Sequence, residues 1–245
     1  MFSLFQKKWP TETSARIDGR SVAIAVRVST RARSYRLSIP HHGAPVLTVP
    51  PHGRWSEAEA FLARQTNWLA ARLKRVSEPV AFADGASVPV RGVPHRVIGT
   101  GKVRGRVEET EVEGAPALLV PGEADHQARR LTDWLKGEAL FVLDAGGAFH
   151  PPRLGVVAKS VRLRSQSTRW GSCASSGRLN FNWRLIIAPP FVLDYVAAHE
   201  VAHLVEMNHS AAFWSTVEKT LPDMARGRAW LKAHGRDLMG YGVEG

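Results

Sequence analysis

The stretch Pro190-Phe-Val-Leu-Asp-Tyr-Val-Ala-Ala-His-Glu-Val-Ala-His-Leu-Val205 carries the strongest structural signal in the chain. It opens behind Pro189, and proline is tolerated in the first turn of a helix. The apolar run ends in an H-E-x-x-H motif, His199, Glu200 and His203. On a helix, residues four apart share a face, so His199 and His203 can aim two imidazoles at one ion. Glu200 is rotated from His199 by about a third of a turn and can serve a reacting water rather than the metal. His209, six residues after His203, falls past the expected helix end and can fold back as a third ligand. Three protein ligands and an open fourth position describe a catalytic zinc site, whereas structural sites are closed by four. Glu206, three residues after His203, is the alternative third ligand, although zinc suits imidazole well.

Chance does not account for this pattern. Shuffling a chain of this composition gives H-E-x-x-H in about 2% of trials, and the further histidine at the same offset in roughly 0.1%. The plain alternative is a helix with two satisfied histidines and a surface glutamate, and the spacing favours a metal site over it.

The 245 residues are long enough for one large domain or two small ones. At 44% hydrophobic and 22% charged, the composition is that of a soluble globular protein. The one cysteine, Cys173, excludes an internal disulfide framework and a multi-cysteine zinc module, and fits a reducing compartment. The N-terminal apolar stretch is too short for a secretory signal, and no segment approaches the ~20 apolar residues of a membrane span. A cytoplasmic protein is expected. The net charge of +11 attracts polyanions without specifying them. Nucleic acid, nucleotides and acidic proteins are all compatible with it, and so is the arginine bias of a GC-rich genome.

The first half has β-rich patterning with one helix. Ser21 to Val28 alternates in the manner of a strand, and Ser34 to Ile39 and Pro45 to Val49 follow, with Gly43 and Pro45 marking a turn. Ser56 and Glu59 form a candidate capping box for a helix to about Val76. Two hairpins are expected, one over Ser87 to Ile98 and one from Val103 to Val120. Beyond Pro121-Gly122 a helix is expected from Ala124 to about Phe149, then strands over Val156 to Arg164 and Arg178 to Leu185. The motif helix comes next. Ser210 is a candidate cap for another helix, and a last one is expected from about Met224 to Leu238. No internal repeat is visible. The expected division is a β-rich region over 1–122 and a catalytic domain over 123–245.

Arg169-Trp-Gly-Ser-Cys, Asn180-Phe-Asn-Trp-Arg-Leu, the motif helix, Asn208-His-Ser and Phe213-Trp214 occur in this order. The set resembles the YgjP-like family of metal-dependent hydrolases, related to SprT-like and other minimal zinc peptidases. The resemblance is clearest over 156–238 and looser in the N-terminal half. It implies His199, His203 and His209 as ligands of one zinc ion and Glu200 as general base. The histidine spacing also equals that of metzincins, but their glycine is Glu206 here, so the resemblance is to the YgjP-like set.

Other residues carry two readings each. Trp170, Gly171 and Ser172 either shape a cleft floor or make a tight turn. Arg169 either stabilises an oxyanion or is solvated. Cys173 has no histidine partner in sequence and fits a buried thiol better than a nucleophile. Asp194 suits the positive end of the helix dipole, and Phe213 and Trp214 suit the core. His41, His42, His52, His95, His126, His150 and His234 lack ligand spacing with the motif. The expected fold is α+β, a β-rich N-terminal region followed by a zincin-like unit in which a short antiparallel sheet packs on the motif helix. The expected chemistry is metal-assisted hydrolysis of a peptide or protein. The alternatives are a nucleoside triphosphate hydrolase, in which arginines hold the phosphates, and a binding protein stabilised by zinc.

Overall fold

A computed structural model describes residues 9–40, 44–74, 79–147, 150–166 and 168–242. His41, His42, Gly43 and the expected end of the first helix near Val76 lie outside these residues. The chain forms two compact units, Met1–Ser77 and Glu78–Gly245.

The first unit holds β1 (Glu12–Ile17), β2 (Arg20–Val28), β3 (Arg36–Ser38) and β4 (Val46–Val49), followed by α1 (Trp55–Arg64) and α2 (Thr66–Leu73). The sheet order is β1-β2-β4-β3, with β2 and β4 parallel at its centre. Ile24, Leu37, Leu47 and Val49 project from one face and pack with Ala58, Leu62 and Leu69 of the helices. Strand β1 carries little strand signature because its residues are largely polar, yet Asp18-Gly19 behind it signals a hairpin. Both turn residues have positive φ, 46° and 80°. The expected single helix is two, and Ser56 does not cap it: α1 starts at Trp55 without a side-chain cap. The Tyr35 hydroxyl accepts from the Arg54 amide at 2.8 Å and donates at the same helix entry.

The second unit begins with β5 (Ser87–Val90), β6 (Val93–Gly99), β7 (Glu108–Val112) and β8 (Ala115–Val120), in the order β5-β6-β8-β7 with β6 and β8 parallel. This is the strand plan of the first unit over again, a duplication of topology that the residues themselves do not display. Arg91-Gly92 and Glu113-Gly114 turn its two hairpins with positive φ throughout, as twisted two-residue turns require. The unit boundary falls at Ser77, not at the expected residue 122. The reason is packing: Val88, Val90, Val97 and Leu118 of this sheet share one core with Leu131 and Leu135 of α3 (Ala124–Gly147) and with Trp183.

After α4 (His150–Leu154) come β9 (Ser160–Arg164), β10 (Gly171–Cys173) and β11 (Arg178–Asn182), in the order β10-β11-β9. The expected antiparallel sheet is mixed. β10 forms the hairpin with β11, which inserts between it and β9, so β9 and β11 run parallel with Leu163 beside Phe181. β11 ends three residues before the expected Leu185, because Asn182 accepts from the Arg184 amide and caps a 3₁₀ turn over Trp183–Ile187.

The motif helix is α5 (Pro190–Ala202), with proline at its first positions. It packs against α3, α4, β10 and the later helices α6 (Ala211–Thr220) and α7 (Met224–Leu238). Ser210 caps α6 as expected, accepting from the Phe213 amide at 3.3 Å. No described helix is long and apolar enough to cross a membrane.

α7 meets α5 at Gly227, where a Cβ would stand 2.4 Å from Tyr195 Cβ and 2.9 Å from the Phe191 carbonyl oxygen. Gly227→Ala should therefore destabilise the protein by about 1–3 kcal/mol through overpacking. Gly137→Ala, on an exposed position of α3 where a Cβ meets nothing within 4 Å, should stabilise it by about 0.5–1 kcal/mol. Thermal unfolding of the two variants checks the opposite signs.

Candidate metal centre

His199 lies in the last turn of α5, and His203 is its C-cap residue. The chain then turns through Leu204 and Val205, whose amides donate to the carbonyls of Val201 and Ala202 at 2.9 and 3.0 Å. The reversal returns His209 to the helix end. His209 Nε2 stands 3.1 Å from His199 Nε2. Ligand nitrogens of all three histidines lie within 4.8 Å of one another. Phe213 backs the cluster, its ring centroid 4.9, 4.4 and 4.7 Å from those of His199, His203 and His209. That ring is fully buried, so the imidazoles rest on a fixed apolar wall.

His203 Nδ1 is 3.0 Å from the backbone carbonyl of Glu206. A carbonyl can only accept, so Nδ1 carries the proton and the lone pair of neutral His203 is on Nε2. This is the kind of contact that fixes tautomer and ring orientation in a metal-ligating histidine. Glu206 thus enters through its backbone, and among the described residues its carboxylate does not join the cluster. Among the described residues His199 Nδ1 is buried with no hydrogen-bond partner.

Glu200 is 5% exposed. Burial pushes its carboxyl up to about 7, against a smaller downward pull from the Arg169 guanidinium. Burial also pushes His199 down to about 4, helped by the positive charge of His203, His209 and Arg228 when these are protonated or cationic. His203 is lowered by burial as well, with the Glu206 carbonyl opposing. His199 and His203 are therefore held as neutral donors, the form a metal takes.

The Arg169–Cys173 segment proves to be part of the same place. Gly171 in β10 lies directly on Glu200, and a Cβ there would stand 2.4 Å from Oε1. Ser172 accepts from Asn180 Nδ2 at 3.3 Å across the hairpin. Trp170 packs into the core against Gly235, and Arg169 is exposed with its charge felt at Glu200. The Cys173 thiol is raised by burial and then by Glu200, which keeps it protonated. Asp194 does more than sit near a helix start: it pairs with His150 Nε2 at 2.8 Å, while His150 Nδ1 lies 2.9 Å from Thr220 Oγ1. That buried histidine joins α4, α5 and α6 and is remote from the cluster in role. Two neighbours had no signal in the spacing. Tyr195 sets its ring 6.0 Å from His199, and Arg228 of α7 stacks over Trp214 at 4.2 Å.

The mixed α+β unit brings three histidines together at the end of a buried helix. A model of the YgjP-like metallopeptidase domain matches residues 33–234, and the chain belongs to this family. Among solved structures, the metallopeptidase zymogen abylysin of Pyrococcus abyssi matches at 24% identity and a TM-score of 0.32, covering 38% of this chain and 93% of its own. No curated protein matches the chain.

Two predictions come from these contacts. Gly171→Ala must displace the Glu200 carboxylate, so it should cut turnover at least tenfold while the histidine cluster keeps its metal affinity; kinetics and a metal titration check both halves. The second concerns pH in metal-free protein. His199 is depressed, so it contributes stability above about 6.5 that is lost as pH falls toward about 4. Glu200 is raised, so its contribution is present below about 4.5 and lost as pH rises through about 7. Relative to wild type, His199→Gln should gain stability as pH falls through this window, and Glu200→Gln should gain it as pH rises. Melting temperatures from pH 4.5 to 7.5 read the two opposite slopes.

Proposed function

We propose that the chain is a zinc-dependent metallopeptidase with a zincin-like catalytic unit, in which His199, His203 and His209 hold the metal and Glu200 is the general base. The observation that carries the reading is the convergence of three imidazoles with a buried carboxylate on the residue after the first of them. The donor set fits zinc. The 3.1 Å between His199 and His209 Nε2 atoms is close to the ~3.3 Å expected for two nitrogens about 2.0–2.1 Å from one tetrahedral ion. Zinc, when bound, lowers the pKa of water toward about 7 and polarises a carbonyl oxygen.

The chain's own groups supply the rest. Glu200, held near neutrality by burial, can take a proton at its carboxylate and return it to a leaving amine. Gly171 fixes the position of that carboxylate, since only a residue without a side chain fits against it. A peptide suits the surroundings. β10 is an edge strand, and an extended chain can add to such an edge through backbone hydrogen bonds. A groove of about 460 Å³ opens beside His203 between the Ala174–Gly177 turn and Leu204 and Met207, and can take substrate side chains.

Metal analysis and kinetics test this directly. Protein purified in the presence of zinc should hold about one ion per chain and should cleave casein but not nucleoside triphosphates. Glu200→Gln should retain zinc and lose at least ~100-fold in turnover. His209→Ala should release zinc to a mild chelator that leaves Glu206→Ala loaded. Stoichiometric absence of metal, or full activity in Glu200→Gln, refutes the assignment.

A further inference from the structure

The positive charge is divided very unevenly. Residues 1–77 contain thirteen Lys and Arg against four Asp and Glu, a net of +9 out of the chain's +11. Residues 78–245 contain twenty against eighteen, a net of +2. A genome-wide arginine bias would enrich both units, and it would not deplete acids in one of them. The excess belongs to the smaller unit.

Its sheet arranges part of that charge. The core face carries Ile24, Leu37 and Leu47, so the residues between them point the other way. Thr48 of β4 is paired with Arg27 on one side and Arg36 on the other, which sets the two arginines in one row of that outer face. They are two strand spacings apart, about 9–10 Å between Cα atoms. Arg16 lies on the same face in β1, and Ser14, Ser21 and Ala23 between the arginines are small and exposed. Arg31 and Arg33 continue the charge through the loop after β2, and all five arginines are exposed. Among the described residues none of the five is in an ion pair. Glu12 is the acid on this face, opposite Ala25.

We infer that the outer face of the β1–β4 sheet, centred on Arg27, Thr48 and Arg36, binds nucleic acid through its phosphates. Arginine forks suit phosphate oxygens, and a flat row of small residues lets a backbone approach closely. An anionic membrane would share the charge preference but calls for apolar side chains that insert beside it. This face offers Ser14, Ser21, Ala23 and Ala25 there, and the larger aliphatic Val46 is half-buried between Ala25 and Ser38. No base-reading group is placed on the row, so binding should be insensitive to sequence and strongly dependent on salt. The inference stands independently of the hydrolytic reading.

The test is fluorescence anisotropy of the full chain with a labelled DNA duplex of about 20 base pairs, from about 50 to 200 mM salt. Wild type should bind, and log Kd should vary linearly with log salt. Arg27→Ala/Arg36→Ala should weaken binding at least about tenfold and reduce the salt slope by about 2, one unit per phosphate contact. Arg27→Lys/Arg36→Lys should keep most of the binding. The matched control Arg104→Ala/Arg106→Ala, on exposed residues of the larger unit, should bind like wild type. Thermal melts confirm that each variant folds. The inference is overturned by absence of binding at about 50 mM salt, by equal weakening in both alanine pairs, or by preferential binding to phosphatidylserine vesicles.

Discussion

α5 is buried on nearly every side and must still end in ionisable groups. Of its thirteen residues, nine are buried, Glu200 among them. A helix that is apolar all round has no solvent face on which a polar end could relax, so its last turn is held by whatever packs there. Small side chains at Ala197, Ala198 and Ala202 permit close approach, and Gly227 brings α7 against Tyr195. Gly171 does the same for β10 against Glu200. The precision of the site thus derives from two close backbone approaches to one helix, α7 at Gly227 and β10 at Gly171.

Burial also sets the electrostatics. The same desolvation raises Glu200 and lowers His199, because it disfavours the charged form of each. Near neutral pH His199 is therefore an uncharged donor next to an acid poised between its two forms. Arg169 and Arg228 act on it from outside the helix: the first draws Glu200 toward ionisation, and the second disfavours protonation of His199. Both effects favour a neutral imidazole beside a carboxylate.

Much of the site was legible because α5 obeys a local rule. The i, i+4 spacing of His199 and His203 needs only a helix to bring them together, and Pro189-Pro190 marks where that helix starts. His209 was legible by offset, although the turn that returns it depends on Leu204 and Val205 amides that no periodicity announces. Gly171, Tyr195 and Arg228 reach the site by tertiary packing, and their roles have no trace in spacing; the Arg169–Cys173 resemblance pointed to the right segment without saying that Gly171 meets Glu200. The β5–β6 and β7–β8 hairpins were legible in their strand patterns. The parallel pairings of β2 with β4, β6 with β8 and β9 with β11 were missed, since a sequence shows which residues alternate and not which strand inserts between two others. The unit boundary was misplaced for a related reason: Pro121-Gly122 is a strong local break, but the core shared by the β5–β8 sheet and α3 overrides it.

The proposed metal assignment links these features thermodynamically. A dication at the three imidazoles would favour the ionised form of a neighbouring carboxylate, and an ionised carboxylate would in turn favour the dication. By reciprocity the two equilibria must strengthen each other by the same factor. Glu200 buried alone is costly to ionise, and His199 buried alone resists protonation, so neither group is settled by its own contacts. One cation resolves both, because it takes the lone pairs that burial has kept free and stabilises the negative charge that burial opposes. Under this assignment the desolvated end of α5 is the source of the metal preference as well as of the basicity at Glu200.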